Sequence, residues 1–554
     1  MFRIQPSIGR LPALCAAIAA GATLGLSLAC LFVPVRWDDQ SFAFYVAPRL
    51  LDGYRLYGPD IMELQPPLIF WMTMIPALLA RSIGTTTQVA FVLCLAALCG
   101  AIIVWSLRLS SDLGRRQRRL FTAGVAIVLM YVTLVLPSMY WRGGGGIRYD
   151  FGQREHIMAL LILPYLFAAA RRLDGRHLGG LEAVLVGVAA AIGFGLKPQY
   201  LTIALCVEAL LVCRLHGFRQ LVRAELLALL LGGLSYFIAV WIFATGYLTD
   251  AAPFFSQVYG DYGYQATVRL IYQPTTFVLA GLAAALVWRS RGEAPALVFL
   301  VSGVGAFIAF VVQHKGWSDH LLPVQMLLVL SLGMAAMTEM LRWLNGRLQT
   351  SYPSRGVLTA VTTMSCLISV GLYYPVRAAL AAGSERENLL AEINDATGNV
   401  PPGTAFVALT DGIDVQFNFA TDRGLVWASR YPCLILPSAA LQRASASGGD
   451  TTGGYLMLTA LIEKLRGRSS GLSQEQDYVR KLRSDILEDL HRWNPKLVMV
   501  RRCEAEVEPC TFGGGFKVID WLSVEPDFSS IWSNYKLIGR VKKYDLYVLA
   551  GKAY

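Results

Sequence analysis

Two adjacent carboxylates, Asp38 and Asp39, open the stretch WDDQSFAFYVAPRLLDGYRLYGPDIMELQPPLIFW, which follows directly on a long apolar run. A carboxylate at the edge of an apolar layer can take a proton from a hydroxyl or orient an acceptor for attack. The same stretch carries Asp60 and Glu63, the latter just ahead of Gln65-Pro66-Pro67. There a carboxylate serves equally as a substrate contact or as a partner for the positive end of the next helix. Further on, WRGGGGIRYDFGQREH gathers Arg142, Arg148 and Arg154 with Asp150, Glu155 and His156. Guanidinium forks match phosphate oxygens, so this cluster suits either anion binding or a network of ion pairs. Lys197 ends an apolar run in GFGLKPQYL, where a lysine either snorkels to water or meets a phosphate. Lys315 has the same two readings, with His314, Asp319 and His320 beside it in QHKGWSDHLLP. No CxxC or histidine spacing makes a convincing metal site, so no cofactor is expected, and the sequence leaves a divalent metal open without supporting one.

These groups must be held by elements embedded in a membrane. The chain has 554 residues, of which 55% are hydrophobic and only 16% charged, with a mean hydropathy of +0.48. A water-soluble chain carries roughly 25% charged residues. The repeated apolar runs predict a polytopic α-helical membrane protein of about 11 spans. They are Leu11–Val35, Gln88–Leu107, Leu120–Trp141, Ile157–Ala170, Leu181–Leu196, Tyr200–Val212, Leu226–Thr245, Phe277–Val287, Ala296–Val312, Leu321–Met340 and Val357–Tyr373. The net charge of +11 lies in short loops between these runs, which makes it topology information and not a nucleic-acid footprint. Positive residues then fall inside with the N-terminus, and the loops holding Asp39, Arg148, Lys197 and Lys315 all face outward. Apolar residues at helical spacing (Phe42, Tyr45, Val46, Leu50) predict an interfacial helix after Asp39, and Pro66–Ile83 reads as a re-entrant or interfacial helix. Glu208 is the one acid deep in a span and is left out of the site.

The organisation expected is a membrane domain over 1–375 and an extracytoplasmic mixed α/β domain over 376–554. In the latter, TAFVAL, GLVWAS, KLVMVR and YDLYVL read as buried strands, and Leu456–Leu465 and Gln474–Leu490 as helices. GGDTTGG and GGG join no strand to a helix in the manner of a phosphate loop, so they are flexible connections. Cys503 and Cys510 flank a short acidic loop and can be bridged if this domain faces an oxidising space.

Asp39, Tyr45, Ala47, Arg49, Leu51, Gly53, Tyr57, Asp60 and Pro66-Pro67-Leu68 together resemble the first outer loop of GT-C-type glycosyltransferases. That superfamily includes the bacterial aminoarabinose transferases acting on lipid A and the protein O-mannosyltransferases. Where it usually opens the loop with Asp-Glu, this chain has Asp39-Gln40; a shift of one residue makes Asp38-Asp39 the pair. Glu155, with Asp150 as competitor, resembles the second outer-loop acid. Lys197-Pro198 resembles the lysine that meets the donor phosphate. Lys315 through His320-Leu321-Leu322-Pro323 resembles a K…YLLP signature with His in place of Tyr. The resemblance implies a GT-C-like fold and a polyprenyl-phosphate sugar as donor. The acceptor would be an envelope lipid, glycan or protein at the outer face of the bacterial cytoplasmic membrane. It further implies Asp39 or Asp38 and Glu155 or Asp150 as catalytic acids, and Lys197, Lys315, Arg142, Arg148 and Arg154 as phosphate contacts. Tyr57, Asp60, Glu63, His314 and His320 would contact substrate. Membrane lipids are further partners, and nucleic acid is not expected. A lipid or glycan transporter without transferase chemistry is the alternative; it would favour charges near the midplane and internal repeats, and the chain has no repeat.

Overall fold

A computed structural model describes residues 38–110, 118–138, 150–217, 221–254, 270–290, 292–347, 387–435, 472–503 and 516–550. The expected spans Leu11–Val35 and Val357–Tyr373, the helix Leu456–Leu465, and Arg142 and Arg148 lie outside them. The described residues form two compact units. One draws on Phe91–Phe237 and Thr267–Gly383, the other on Arg36–Ala90, Ile238–Ala266 and Ser384–Tyr554.

Among the described residues, six helices are long and apolar enough to cross a membrane: Thr87–Ser110, Arg154–Leu173, Pro198–Leu215, Ala224–Phe243, Ala294–Val312 and Asp319–Met340. Four apolar helices are shorter, Leu68–Ile83, Gly124–Val135, Gly180–Leu196 and Pro274–Arg289. At 1.5 Å per residue the 16 residues of Leu68–Ile83 reach about 24 Å, less than the hydrocarbon core of about 30 Å. In the first unit the Arg154–Leu173 helix is buried along nearly its whole length and packs on Gly180–Leu196 and Ala294–Val312. The apolar helices around it leave large side chains such as Leu205, Leu230, Leu282 and Val304 exposed, as a lipid-facing surface requires. Between helices in lipid, small residues let backbones approach. Gly305 does this: a Cβ there would lie 2.7 Å from Ile203 Cα and 2.8 Å from Thr202 O. The closeness is used, because Thr202 Oγ1 donates to Gly305 O at 2.7 Å.

The second unit contains a five-stranded sheet in the order β2-β1-β3-β5-β4, with β1 Ala405–Leu409, β2 Val426–Trp427, β3 Leu497–Arg501, β4 Tyr535–Val541 and β5 Tyr544–Leu549. β1 pairs in parallel with β2 and β3, while β5 runs antiparallel to β3 and β4 to β5. All five β3 residues are buried, which is why LVMVR reads as a continuous apolar run. The four expected strands are present. β4 is additional to them: it is an edge strand carrying Lys536 and Arg540, with an irregularity between Leu537 and Gly539, so its apolar alternation is broken. The Leu472–Trp493 helix covers the sheet through Ile486, Leu487 and Leu490 against Val407, Val498 and Val500. Cys503 is disulfide-bonded, and the other described cysteines are free, so its partner lies outside the described residues.

The Asp38–Leu51 helix also belongs to the second unit. The expected apolar stripe is there, but Ala43, Phe44 and Ala47 are buried as well as Phe42, Tyr45 and Val46. The helix is enclosed, not laid on a surface by one face. Phe42 meets Phe70 at 5.8 Å and Phe417 at 4.7 Å, so it sits between the Leu68–Ile83 helix and the Gln416–Asp422 helix. Gly305→Val, which places branched carbons against the Ile203 backbone, is expected to destabilise the first unit by about 1–3 kcal/mol. A lowered unfolding temperature in detergent checks this, and an unchanged one would contradict the close approach.

Candidate active site

Each of the two units holds one cluster of the residues singled out above. In the first, three helix ends supply the polar groups. Glu155 lies in the first turn of the Arg154–Leu173 helix, where the helix dipole favours an anion. Lys197 caps the C-terminus of Gly180–Leu196, the end that favours a cation. Pro198, without an N–H, stops that helix and starts the short turn Pro198–Tyr200. His320 lies in the first turn of Ser318–Arg347, one residue after Asp319. Tyr200 OH donates to the His320 carbonyl at 2.5 Å and so ties the lysine turn to the histidine segment.

The side chains converge. Lys197 Nζ forms an ion pair with Glu155 Oε1, and both residues are almost fully buried. His320 Nε2 lies 3.8 Å from Glu155 Oε1 and 3.7 Å from Asp319 Oδ2. The positive charges of Lys197, Arg154 and Lys315 all act on His320, as does the negative charge of Glu155. Lys315 is buried in the turn between Ala294–Val312 and Ser318–Arg347, next to His314, whose φ of 52° lies in the left-handed region. Sequence spacing gives no sign of this meeting, because residues 155, 197 and 320 are far apart in the chain.

Glu155, Asp319 and His320 present ligand atoms within 4.8 Å of one another, a spacing that can hold a metal ion. The surrounding charge argues for a different occupant. Among the described residues, three cations, Lys197, Arg154 and Lys315, outnumber the two carboxylates around His320. A divalent cation would raise that surplus in a low-dielectric site, whereas an anion would neutralise it. The cluster is suited to a phosphate-like group. His156 lies close by in sequence but serves the scaffold. Gly152 N–H donates to His156 Nδ1 at 2.9 Å, so Nε2 carries the proton and donates to Thr133 O at 2.8 Å. Asp150 is buried, with its N–H on Pro137 O at 2.9 Å.

The second unit holds the first-loop residues. Asp39 is half-buried at the start of its helix, and its Oδ2 accepts a hydrogen bond of 2.7 Å from Gln65 Nε2. Gln65 N–H donates to Glu63 Oε1 at 3.1 Å, and Tyr57 OH donates to the Gln65 carbonyl. Gln65 is not among the residues that sequence reading singles out. Tyr57 has φ 61°, held by its N–H on Ile61 O at 2.7 Å, and its ring meets Tyr247 at 5.0 Å. Gly246 permits that approach, since a Cβ there would lie 2.3 Å from Tyr57 O. Asp60 pairs with Arg492 Nη2 at 2.9 Å on the Leu472–Trp493 helix.

The sheet grips the same loop at two further points. Tyr45 OH accepts from Trp427 N–H at 2.5 Å and donates to Leu425 O at 3.3 Å, while Arg49 Nη2 donates to Leu425 O at 3.2 Å. Burial pushes the Tyr45 phenol up to about 12, so it stays protonated and can donate. Met62 N–H donates to Arg430 O at 2.7 Å, and the Arg430 side chain is held by Asp489, Asp485 and Glu488.

No family model and no curated protein sequence matches the chain. Among solved structures it is similar to ArnT from Cupriavidus metallidurans bound to undecaprenyl phosphate. That likeness has a TM-score of 0.55 at 13% identity and covers 97% of this chain and 99% of that one. A looser likeness, with a TM-score of 0.42 at 12% identity, is to the Archaeoglobus fulgidus oligosaccharyltransferase in complex with zinc and sulfate; it covers 94% of this chain and 71% of that one. The chain is a multi-pass membrane protein that shares the fold of that ArnT structure.

Removing one member of a buried ion pair leaves the other without its counter-charge. Lys197→Met is therefore expected to cost about 3 kcal/mol or more of stability, and the double variant Lys197→Met/Glu155→Gln much less. Thermal unfolding of both in detergent checks the pair; equal losses would mean that the contact is not energetically coupled.

Proposed function

We propose that this protein is a glycosyltransferase that moves a sugar from a polyprenyl-phosphate donor to a lipid, glycan or protein acceptor of the cell envelope, at the outer face of the membrane. The observation that carries this reading is the cluster of Lys197, Arg154 and Lys315 around Glu155, Asp319 and His320, with more cations than carboxylates among the described residues. A sugar phosphodiester carries one negative charge, and the phosphate released carries more. A fixed positive surplus therefore stabilises the transition state more than the bound donor.

In the reaction proposed, Asp39 takes the proton of an acceptor hydroxyl as its oxygen attacks the anomeric carbon. The bond from that carbon to the phosphate oxygen breaks, and the electron pair leaves with the phosphate, which Lys197 and Lys315 stabilise. Glu155 holds Lys197 in place. The fold shared with a structure bound to undecaprenyl phosphate supports a lipid-borne donor. Asp38, Asp150, Arg142 and Arg148 stay as candidates on the sequence resemblance, as do Tyr57, Asp60, Glu63 and His314 for substrate contact. Asp60 is already engaged by Arg492, which fits a part in holding the loop.

The test is transfer in proteoliposomes from a radiolabelled polyprenyl-phosphate sugar to envelope acceptors. Wild-type protein is expected to transfer label. Asp39→Asn is expected to lose at least about 100-fold of that rate, within the range that proton-transfer groups contribute, while inserting and unfolding normally. Full activity in Asp39→Asn would remove the base assignment, and no donor-dependent transfer by the wild type would remove the function.

A further inference from the structure

We infer that Gln65 is a positioning residue for Asp39, aiming one carboxylate oxygen at the acceptor by holding the other. The inference rests on the reading of Asp39 as the proton-accepting group. A carboxylate on a short side chain rotates freely unless something fixes it, and a base that rotates spends little time in the productive geometry. Gln65 Nε2 donates to Asp39 Oδ2 at 2.7 Å, which restrains the rotation of the carboxylate and so the positions Oδ1 can take.

The donor is itself held at both polar groups of its backbone. Its N–H is on Glu63 Oε1 at 3.1 Å and its carbonyl takes the Tyr57 hydroxyl. Gln65, Glu63 and Tyr57 are all buried. Tyr57 in turn is set in a left-handed conformation, closed by its N–H on Ile61 O and packed against Gly246 and Tyr247. A backbone conformation that costs a non-glycine residue energy persists only where the surroundings fix it. Here it delivers the phenol to the Gln65 carbonyl. The Pro66-Pro67 pair that follows restricts the backbone on the other side, since a residue before proline is confined to extended conformations.

Residue chemistry also favours an amide at this position. The charges that act on the buried Cys433 thiol are acidic: Glu63 on the same segment as Gln65, Asp39 itself, and Asp411 beyond β1. A lysine or arginine at 65 would set a cation against the Asp39 carboxylate, where it competes with the acceptor proton. A neutral donor orients the carboxylate and leaves it able to take a proton. Glutamate at 65 would be isosteric but, once ionised, could only accept.

Gln65→Glu and Gln65→Leu separate the positioning role from a packing role. Both are expected to lower kcat about tenfold to 100-fold with KM for the polyprenyl-phosphate sugar within about twofold of wild type. In Gln65→Glu the introduced carboxyl donates to Asp39 only when it is protonated. Its deficit relative to wild type is therefore expected to shrink as pH falls from about 8 to about 5, whereas the Gln65→Leu deficit stays constant. Equal, pH-independent deficits in the two variants, or a kcat near wild type in Gln65→Leu, would overturn the inference. Asp39→Asn measured alongside distinguishes the two levels. If Asp39→Asn is inactive while Gln65→Leu is unimpaired, the positioning role fails and the base survives; if Asp39→Asn is active, the base itself fails.

Discussion

A charge taken out of water into a helix layer has to be compensated, and the Lys197–Glu155 pair is where this protein meets that constraint most directly. Both side chains are almost fully buried, at the opposed ends of neighbouring helices. The geometry follows from the helices themselves. An N-terminal turn favours the carboxylate and a C-terminal turn favours the ammonium, so each partner is stabilised by its own helix before they meet. Among the described residues around that pair, Arg154, Lys315 and Asp319 add two positive charges and one negative, and His320 sits among them. The neutral pair gives the cluster rigidity, and the positive balance suits an anion.

The second unit meets a different constraint. Its first-loop helix is enclosed on several sides and could not hold a fixed orientation by apolar contact alone, because apolar packing is not directional. Direction comes from hydrogen bonds to the sheet. Tyr45 and Arg49 bind the backbone at Leu425 and Trp427, Arg492 binds Asp60, and Arg430 anchors the Met62 amide. Arg430 is immobilised by Asp489 and Asp485, both buried, so the grip extends into the Leu472–Trp493 helix. The sheet and its covering helix thereby form the surface on which the loop bearing Asp39 is registered.

What the sequence made legible was local. Apolar periodicity and proline placement located the helices, Lys197-Pro198 marked a helix end, and unbroken apolar runs marked β1, β3 and β5. β4 escaped because a charged edge strand with an irregularity has no alternation to read. The side-chain partnerships escaped for another reason. Arg492 and Asp60 are 432 residues apart, and nothing about an aspartate in a loop reveals a guanidinium so distant in the chain. Gln65 carried a weak signal, an amide before two prolines, but an uncharged residue is passed over when chemistry is sought among ionisable groups. Likewise Asp319 drew notice only as a neighbour of Lys315. Its place 3.7 Å from His320 Nε2, within reach of Glu155, is a product of helix packing.

The charges that act on Cys433 in the second unit and on His320 in the first differ in sign balance. Burial pushes the Cys433 thiol up, and the negative charges of Glu63, Asp39 and Asp411 push it the same way. The surroundings of His320 are basic. A group that accepts a proton works better where the field is negative, because the field favours the protonated product. A leaving phosphate works better where the field is positive, because negative charge grows on it.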